Sequence, residues 1–336
     1  MNTFLDLLSF TLKGIVVVVA IFVVTGLIVS VFRRGRRDEA RLTVQKLNER
    51  FRELADGLRC FVMPPSTFKK YLTAVKRAAK HRKEAERRVF VLDFRGDIAA
   101  TAVVSLREEI SAIVAVAHKG DEVLIRLESS GGVVHAYGLA ASQIARLKVY
   151  GLRVVICVDK VAASGGYMMA CLADELIAAP FAVVGSIGVV APVPNLHRLL
   201  EQHGVDYEEM TAGEFKRTVS VFGKISPEGR AKYQDQLEDT HRLFKEFVRE
   251  HRPSLDIEQV ATGEYWFGKR ALELKLVDKL MTSDDYLMSH LESADLFHLS
   301  FKPPQPWRRR LAEAVGEGAA RVFVKLWSRA LELRHQ

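Results

Sequence analysis

The apolar run RVFVLDF, residues 88–94, predicts a β-strand, and comparable runs recur at EVLIRLE (122–128), RVVICV (153–158) and ELIA (175–178). Between these runs lie segments with helical periodicity, at residues 105–118, 135–148 and 167–172. Strands that alternate with helices at this spacing are typical of parallel strands joined by crossover helices. The sequence therefore predicts one α/β domain over residues 89–300.

Further elements are predicted towards the C-terminus. Pro227 suits the first turn of a long polar helix that ends before Pro253, and Ser283 with the two acids after it resembles a helix start. The uncharged stretch Leu176–Leu196 is interrupted by Pro and Gly, which favours buried strands joined by turns over a membrane span. Residues 301–336 have a basic amphipathic pattern, which fits either an interfacial membrane helix or a packing helix in an oligomer.

The N-terminal segment predicts a membrane anchor. Gly14–Phe32 has 19 residues without a charge, about 28 Å of helix, which matches one hydrocarbon core. A cleaved signal peptide is the alternative, but the run is longer than a signal core and no small-residue cleavage pattern follows it. We assign residues 1–35 to a single transmembrane helix and residues 36–88 to a charged helical connector. Helical spacing in this connector is seen at Leu42, Leu47, Phe51 and Leu54.

Charge and cysteine content argue against two classes of protein. The chain has 49 Lys and Arg against 41 Asp and Glu. Residues 1–88 carry a net charge of +11 and residues 302–336 carry +5, which leaves −8 on residues 89–301. An acidic central domain repels a phosphate backbone, so the basic flanks fit anionic lipid headgroups better than nucleic acid. The three cysteines have no C-x-x-C spacing and encode neither a disulfide framework nor a zinc site.

Ser164 is a candidate nucleophile. It lies in VDKVAASGGYMMA (158–170), after a β-type run and before a short apolar helix. A serine at a helix start is ordinarily an N-cap. The glycine pair that follows weakens the helix but lets a substrate backbone approach the hydroxyl closely, so both interpretations remain open.

A serine nucleophile needs a base and an oxyanion site. His135 begins a predicted helix. Lys216 in TAGEFKRT (211–218) has the context of an ordinary surface lysine, and it could act as a base if burial lowered its pKa. ESSGGVV (128–134) ends a strand, and its glycines either form a plain turn or direct N–H groups at an oxyanion. The chain has no phosphate-binding glycine motif.

Five motifs in order carry a family resemblance. They are SSGGVV, VDKVAASGGYMMA, VGSIGVV, TAGEFKRT and ATGEYWFG. Their sequence and order resemble the signal peptide peptidase A family of serine peptidases, and within it the SohB branch. The resemblance covers most of the chain and implies a ClpP/crotonase-like α/β fold with a Ser-Lys dyad.

The resemblance also implies roles for individual residues. Ser164 matches the family's nucleophile and Lys216 its general base. Gly131, followed by Gly132, matches the oxyanion glycine, and Ser186 matches the serine that hydrogen-bonds the lysine. Family members form rings in which neighbouring subunits complete the sites, which implies a homo-oligomer. The scheme requires no metal and no organic cofactor.

Two features depart from the family pattern. Many relatives have Pro where this chain has Ser130, which bears on the rigidity of the oxyanion turn. Relatives also place the catalytic domain outside the cytoplasm, whereas the four arginines of RRGRR (33–37), directly after the predicted span, favour the cytoplasmic side.

The sequence therefore leads to the hypothesis of a single-pass inner-membrane serine endopeptidase. Its expected substrates are signal peptides or other membrane-associated polypeptides, and its expected partners are membrane lipid and further copies of the chain. Two alternatives remain, a catalytically silent membrane scaffold and a crotonase-like acyl-CoA enzyme. Labelling of Ser164 by a serine-directed probe would disfavour both.

Overall fold

The structure is a computed structural model that describes residues 41–81 and 87–304 of the 336-residue chain. Contacts divide the chain into residues 43–300 and a second unit, residues 1–42 with 301–336. Nearly all of the described residues belong to the first unit, which also contains the five motifs noted above.

Strands and helices alternate through the described residues. The strands are β1 (Arg41–Lys46), β2 (Arg88–Gly96), β3 (Glu122–Ser129), β4 (Arg153–Val158), β5 (Val161–Ala163), β6 (Glu175–Ala178), β7 (Val183–Gly185), β8 (Tyr265–Phe267), β9 (Lys279–Leu280) and β10 (Asp295–Lys302). The helices are α1 (Leu47–Val62), α2 (Pro65–His81), α3 (Val103–Val116), α4 (Val134–Val149), α5 (Gly165–Ala170), α6 (His197–Gln202), α7 (Pro227–His251), α8 (Ile257–Val260), α9 (Gly268–Glu273) and α10 (Ser283–His290).

One sheet organises the domain, with the strand order β1-β10-β2-β3-β4-β6-β9. The pairs from β10 through β9 are parallel, and Val123 of β3, for example, lies between Phe90 and Val154. A short branch leaves this order, because β5 pairs in parallel with both β3 and β7. Strand β8 pairs antiparallel with β7. The carboxyl ends of β3, β5 and β7 therefore meet along this branch.

Apolar side chains cover both faces of the sheet. On one face, Phe90, Leu92 and Phe94 are buried in a large cluster that includes residues of α3, α4, α5 and α7. On the other face, the alternate residues Val89 and Val91 pack with residues of α1 and α10. The strands can be this apolar because each face is buried against helices.

Helix α1 is fixed to the sheet by a buried amide. The Asn48 side chain donates hydrogen bonds to Leu291 O (3.0 Å) and Ala294 O (2.9 Å) and accepts one from Leu296 N (2.8 Å). Both N–H donors and the oxygen of this amide are thus hydrogen-bonded, so its burial leaves no unpaired polar atom. Helix α1 consequently belongs to the same compact unit as the sheet.

The predicted alternation of strands and helices is confirmed. The strand predicted at 153–158 has those bounds, and the long polar helix begins at Pro227, with the Ser226 hydroxyl accepting a hydrogen bond from Gly229 N. The helix predicted from residue 167 begins at Gly165 instead, so that both glycines lie inside its first turn. The helix after Thr282 is capped by that threonine rather than by Ser283.

The prediction of a helical connector is wrong at residues 41–46. Residues 41–46 form strand β1, and Leu42 lies in it rather than on a helix. The sequence RLTVQK alternates apolar and polar residues with a period of two, which is the pattern of a strand. In the described part of the connector, the first helix begins at Leu47, and α1 is followed by α2.

The predicted membrane segment Gly14–Phe32 and the predicted amphipathic helix in 301–336 lie outside the described residues, except for residues 301–304. Within residues 41–81 and 87–304, none of the helices combines the length and the apolar character that crossing a bilayer requires.

Candidate active site

Two neighbouring parallel strands are each followed directly by a serine. Ser164 follows β5 and Ser186 follows β7, and the residues before them, Ala163 and Gly185, are partners in the strand register. The Ser164 N–H donates a hydrogen bond to Gly185 O (2.8 Å). Both serines have a positive φ, 52° and 51°. The sheet therefore holds the two hydroxyl-bearing residues side by side at one edge.

Ser164 has the backbone of a strained strand-to-helix turn. Its φ of 52° and ψ of −120° lie in a region that side-chain-bearing residues rarely adopt. The residue occupies the N-cap position of α5, but its side chain makes no capping hydrogen bond. The capping interpretation is therefore wrong for the side chain, and the half-buried hydroxyl remains available at the surface of the turn.

Glycines allow the ESSGG turn to press against Ser164. Gly131 has a φ of +89°, and a Cβ added to it would lie 2.7 Å from the Ser164 Cβ and 2.8 Å from Gly165 N. A Cβ on Gly132 would lie 2.1 Å from Ile98 O. Neither position accepts a side chain, because each glycine backbone already touches a neighbouring segment.

The N–H groups around Ser164 differ in their partners. The Gly131 N–H donates to Ser129 Oγ (3.0 Å). For the N–H groups of Gly132 and Gly165, the described residues provide no hydrogen-bond acceptor. Gly132 and Gly165 also line the pocket at Ser164, whereas Gly131 does not. Two residues that line the pocket together with Ser164 thus have backbone N–H groups without an acceptor among the described residues.

An apolar pocket of about 410 Å³ opens beside Ser164. Its apolar lining includes Met168 of α5 and, from α7, Leu243, Phe244 and Phe247. His135 at the start of α4 also lines the pocket. A pocket of this size and lining accepts an apolar side chain next to the serine.

Lys216 is not brought to Ser164. It is exposed in the segment between α6 and α7, and its side chain makes no hydrogen bond or ion pair with the described residues. It is also absent from the residues that line the pocket. The structure thus brings together Ser164, Gly131, Gly132 and Ser186 among the predicted site residues, but not the predicted base. The Ser186 hydroxyl donates to Gly263 O (3.3 Å).

Sequence reasoning missed two buried residues that support the turn. The Ser129 Oγ and the Tyr137 hydroxyl lie 2.6 Å apart, and the Tyr137 hydroxyl donates to Asp97 O (2.8 Å). Burial raises the pKa of Tyr137, which keeps the phenol protonated. The apolar pattern of α4 identifies Tyr137 only as a core residue, and the sequence carries no signal for its hydrogen bonds.

A serine on a strained strand-to-helix turn, next to backbone donors and an apolar pocket, is the arrangement of a serine hydrolase. The chain belongs to a family of serine-type peptidases, peptidase family S49. The sequence pattern of peptidase family S49 matches residues 146–296, and that of peptidase family S49 N-terminal matches residues 2–144.

Relatives of the SohB type match over much of the chain. The probable protease SohB of Haemophilus influenzae is 46% identical over 329 residues, which cover 94% of this chain and 93% of the relative. The probable protease SohB of Buchnera aphidicola subsp. Acyrthosiphon pisum is 52% identical over 245 residues, 73% of each chain. Protease 4 of Salmonella typhi is 28% identical over 188 residues, 55% of this chain and 30% of the relative.

Proposed function

We propose that the chain is a membrane-anchored endopeptidase with Ser164 as nucleophile and Lys216 as general base. The observation that carries the proposal is the strained backbone of Ser164, whose side chain makes no capping hydrogen bond and lines one pocket with Gly132 and Gly165. Strain of this kind persists where a site needs a preorganised side chain.

Hydrolysis then follows in two steps. Neutral Lys216 takes the proton of Ser164 Oγ, and the oxygen attacks the substrate carbonyl carbon. The tetrahedral oxyanion collapses, the C–N bond breaks, and Lys216 gives its proton to the leaving amine nitrogen. Lys216 next takes a proton from a water molecule, whose oxygen attacks the ester carbon of the acyl-enzyme. The ester C–O bond then breaks, and Lys216 returns the proton to Ser164 Oγ.

The oxyanion is held by backbone N–H groups. Because the Gly131 N–H already donates to Ser129, we assign the donors to Gly132 and Gly165, and we assign to Gly131 the close contact that sets the turn against Ser164. Donors already in position before the reaction are worth more than donors that must reorient. This assignment modifies the role that the family resemblance implies for Gly131.

The base is supplied by a second copy of the chain within a homo-oligomeric ring. Exposure of Lys216, and its absence from the pocket that Ser164 lines, support this arrangement. The incoming ammonium group or amine would meet Ser186, whose hydroxyl oxygen keeps a lone pair free to accept from it. Ser186 then orients Lys216 toward Ser164.

The substrate is an apolar stretch of polypeptide, such as a signal peptide. The apolar lining of the pocket beside Ser164 supports this choice. We further propose a ClpP/crotonase-like fold, which the parallel sheet with its β5–β7 branch supports. Gly14–Phe32 would anchor the chain in the inner membrane, close to such substrates.

The test uses the full chain in detergent and an unstructured fluorogenic peptide with apolar residues. Ser164→Ala and Lys216→Ala should each abolish hydrolysis with the oligomeric size unchanged, whereas Lys224→Ala, a control at another exposed lysine of the same segment, should not. His135→Gln tests the histidine that lines the pocket as an alternative base. Activity that survives Ser164→Ala would refute the nucleophile.

A mixing experiment tests the second copy. Ser164→Ala and Lys216→Ala chains are dissociated, mixed in equal amounts and reassembled. If each site takes its base from another copy, random pairing restores about a quarter of the wild-type activity. No restoration, with normal assembly, would place both residues of the dyad in one chain. A fluorophosphonate probe that fails to label an assembled wild type would instead favour a silent scaffold or acyl-CoA chemistry.

A further inference from the structure

A chain of three hydrogen bonds runs from the glycine turn into the core. The Gly131 N–H donates to Ser129 Oγ (3.0 Å), Ser129 Oγ lies 2.6 Å from the Tyr137 hydroxyl, and that hydroxyl donates to Asp97 O (2.8 Å). Ser129 and Tyr137 are both buried. We call Ser129, Tyr137 and the Asp97 carbonyl the tyrosine strap.

The direction of each proton in the strap is determined. The single hydroxyl proton of Tyr137 goes to Asp97 O, so the Tyr137 oxygen must accept the proton of Ser129. The Ser129 oxygen is then left with lone pairs, one of which accepts the Gly131 N–H. Each of the two hydroxyls donates one hydrogen bond and accepts one, so these buried polar groups are paired and the strap is rigid.

The Tyr137 ring also supports the other side of the site. A Cβ on Gly165 would lie 2.4 Å from Tyr137 Cγ, so the ring touches the backbone of the residue that follows Ser164. The Tyr137 hydroxyl lies 2.4 Å from the position of a Cβ on Gly96, at the end of β2. One side chain thus contacts the nucleophile turn with its ring and holds the glycine turn through its hydroxyl.

We propose that Ser129 and Tyr137 are positioning residues, which set the distance between the Gly132 and Gly165 N–H groups through the tyrosine strap. The proposal rests on the proposed function, since those two N–H groups are the assigned oxyanion donors. Neither residue touches the substrate carbonyl. Their effect is on the geometry of the tetrahedral state, and hence on kcat rather than on ground-state binding.

The strap explains how the turn stays fixed without a proline at Ser130. A proline would restrict the backbone φ there directly, whereas the strap holds the next residue, Gly131, by its N–H. Ser130 has no positive φ, it follows strand residue Ser129, and its N–H has no acceptor among the described residues. A proline can therefore replace it without loss of a hydrogen bond, which supplies a rescue experiment.

The first experiment measures kcat and KM of the full-length protein in detergent for wild type, Tyr137→Phe and Ser129→Ala. Tyr286→Phe is the matched control, because its buried hydroxyl donates to Glu122 (2.6 Å) on the opposite face of the sheet. We expect a kcat lower by about tenfold or more in Tyr137→Phe and Ser129→Ala, with KM within twofold, given that loss of one complete oxyanion donor costs 10²–10³. Tyr286→Phe should keep its kcat.

The same variants give a second readout with a fluorophosphonate, whose adduct with Ser164 carries a tetrahedral oxyanion mimic. Its labelling rate should fall in parallel with kcat. The double variant Ser129→Ala/Tyr137→Phe should lose no more than the more severe single variant, since both changes cut the same strap. Multiplicative losses would mean independent effects and would overturn the proposal.

Ser130→Pro completes the test. In the wild-type background it should change kcat by less than twofold, and in the Tyr137→Phe background it should raise kcat at least threefold. If Ser130→Pro changes kcat by the same factor in both backgrounds, or changes it in neither, the strap is contradicted. A Tyr137→Phe variant with wild-type kcat, or with a changed KM alone, also overturns it. If instead the wild type is inactive, or Ser164→Ala is active, the proposed function fails, and that failure is distinguishable from failure of the strap. Ser129→Ala carries the test if Tyr137→Phe does not fold.

Discussion

Gly131→Ala should lower the catalytic activity strongly while leaving most of the fold intact. Two effects of the added Cβ can be separated. The first is backbone strain, because Gly131 has a φ of +89°, where a side chain costs about 1–2 kcal/mol of folding free energy. The second is collision, because the Cβ would lie 2.7 Å from the Ser164 Cβ and 2.8 Å from both Ala163 O and Gly165 N.

Gly120→Ala isolates the first effect. Gly120 has a comparable φ of +102°, it is exposed before β3, and a Cβ there meets no atom within 4 Å. We expect it to lose about 1–2 kcal/mol of unfolding free energy and to keep full activity. In Gly131→Ala the collisions lie 0.6–0.7 Å inside the ordinary contact distance of 3.4 Å. The turn must move by a similar amount, and we expect kcat/KM to fall by about 10²–10³.

The assay pairs urea denaturation with peptide hydrolysis on the full-length protein. Both variants should share the strain cost, so the comparison of their kcat/KM values reports the collision alone. A Gly131→Ala enzyme within threefold of the wild type would refute the reasoning, because it would mean that the contact between the glycine turn and Ser164 does not set the geometry of catalysis.

Three further outcomes are expected. Asp278→Ala should lower the free energy of unfolding in a urea titration by about 3–5 kcal/mol, because the buried Arg252 guanidinium donates to that carboxylate at 2.7 and 2.8 Å. A loss of less than about 1 kcal/mol would contradict the importance of this ion pair. Burial raises the pKa of Asp93, but hydrogen bonds from His298 and Arg126 outweigh it and hold the pKa at about 2, below the usual 3.8. Its contribution to stability is therefore present above about pH 4 and lost as the pH falls toward 2, and Asp93→Asn should flatten this part of the acid denaturation curve. Of the three thiols, a thiol-reactive dye should label only Cys60 in the folded protein, because Cys157 and Cys171 are buried and burial raises the pKa of Cys171 to about 12; Cys60→Ser should remove the native signal.

The sheet was predictable because its strands are encoded locally. The runs at 88–94, 122–128 and 153–158 are apolar on both faces, and that composition requires helices on both sides of the sheet. The strand at 41–46 was missed because Leu42 was assigned to a helical pattern together with Leu47, Phe51 and Leu54. Short segments of mixed periodicity are decided by their tertiary partners rather than by their own pattern.

The candidate site was predictable only in part. Ser164 and the glycine turn lie in motifs that are contiguous in sequence, so their chemistry is visible there. The tyrosine strap joins Asp97, Ser129 and Tyr137, which come from three separate segments and meet only after the sheet has formed. Lys216 has the sequence context of a surface lysine, and the structure gives it that environment.

The exposed position of Lys216 has a consequence for when the enzyme is active. Under the proposed dyad, a newly synthesised chain carries a preorganised serine but no base within reach. Cleavage then requires an encounter between copies, and the rate rises more steeply than the amount of protein while copies are scarce. Such a peptidase needs no inhibitory propeptide, because it stays inactive at low concentration, before enough copies have assembled.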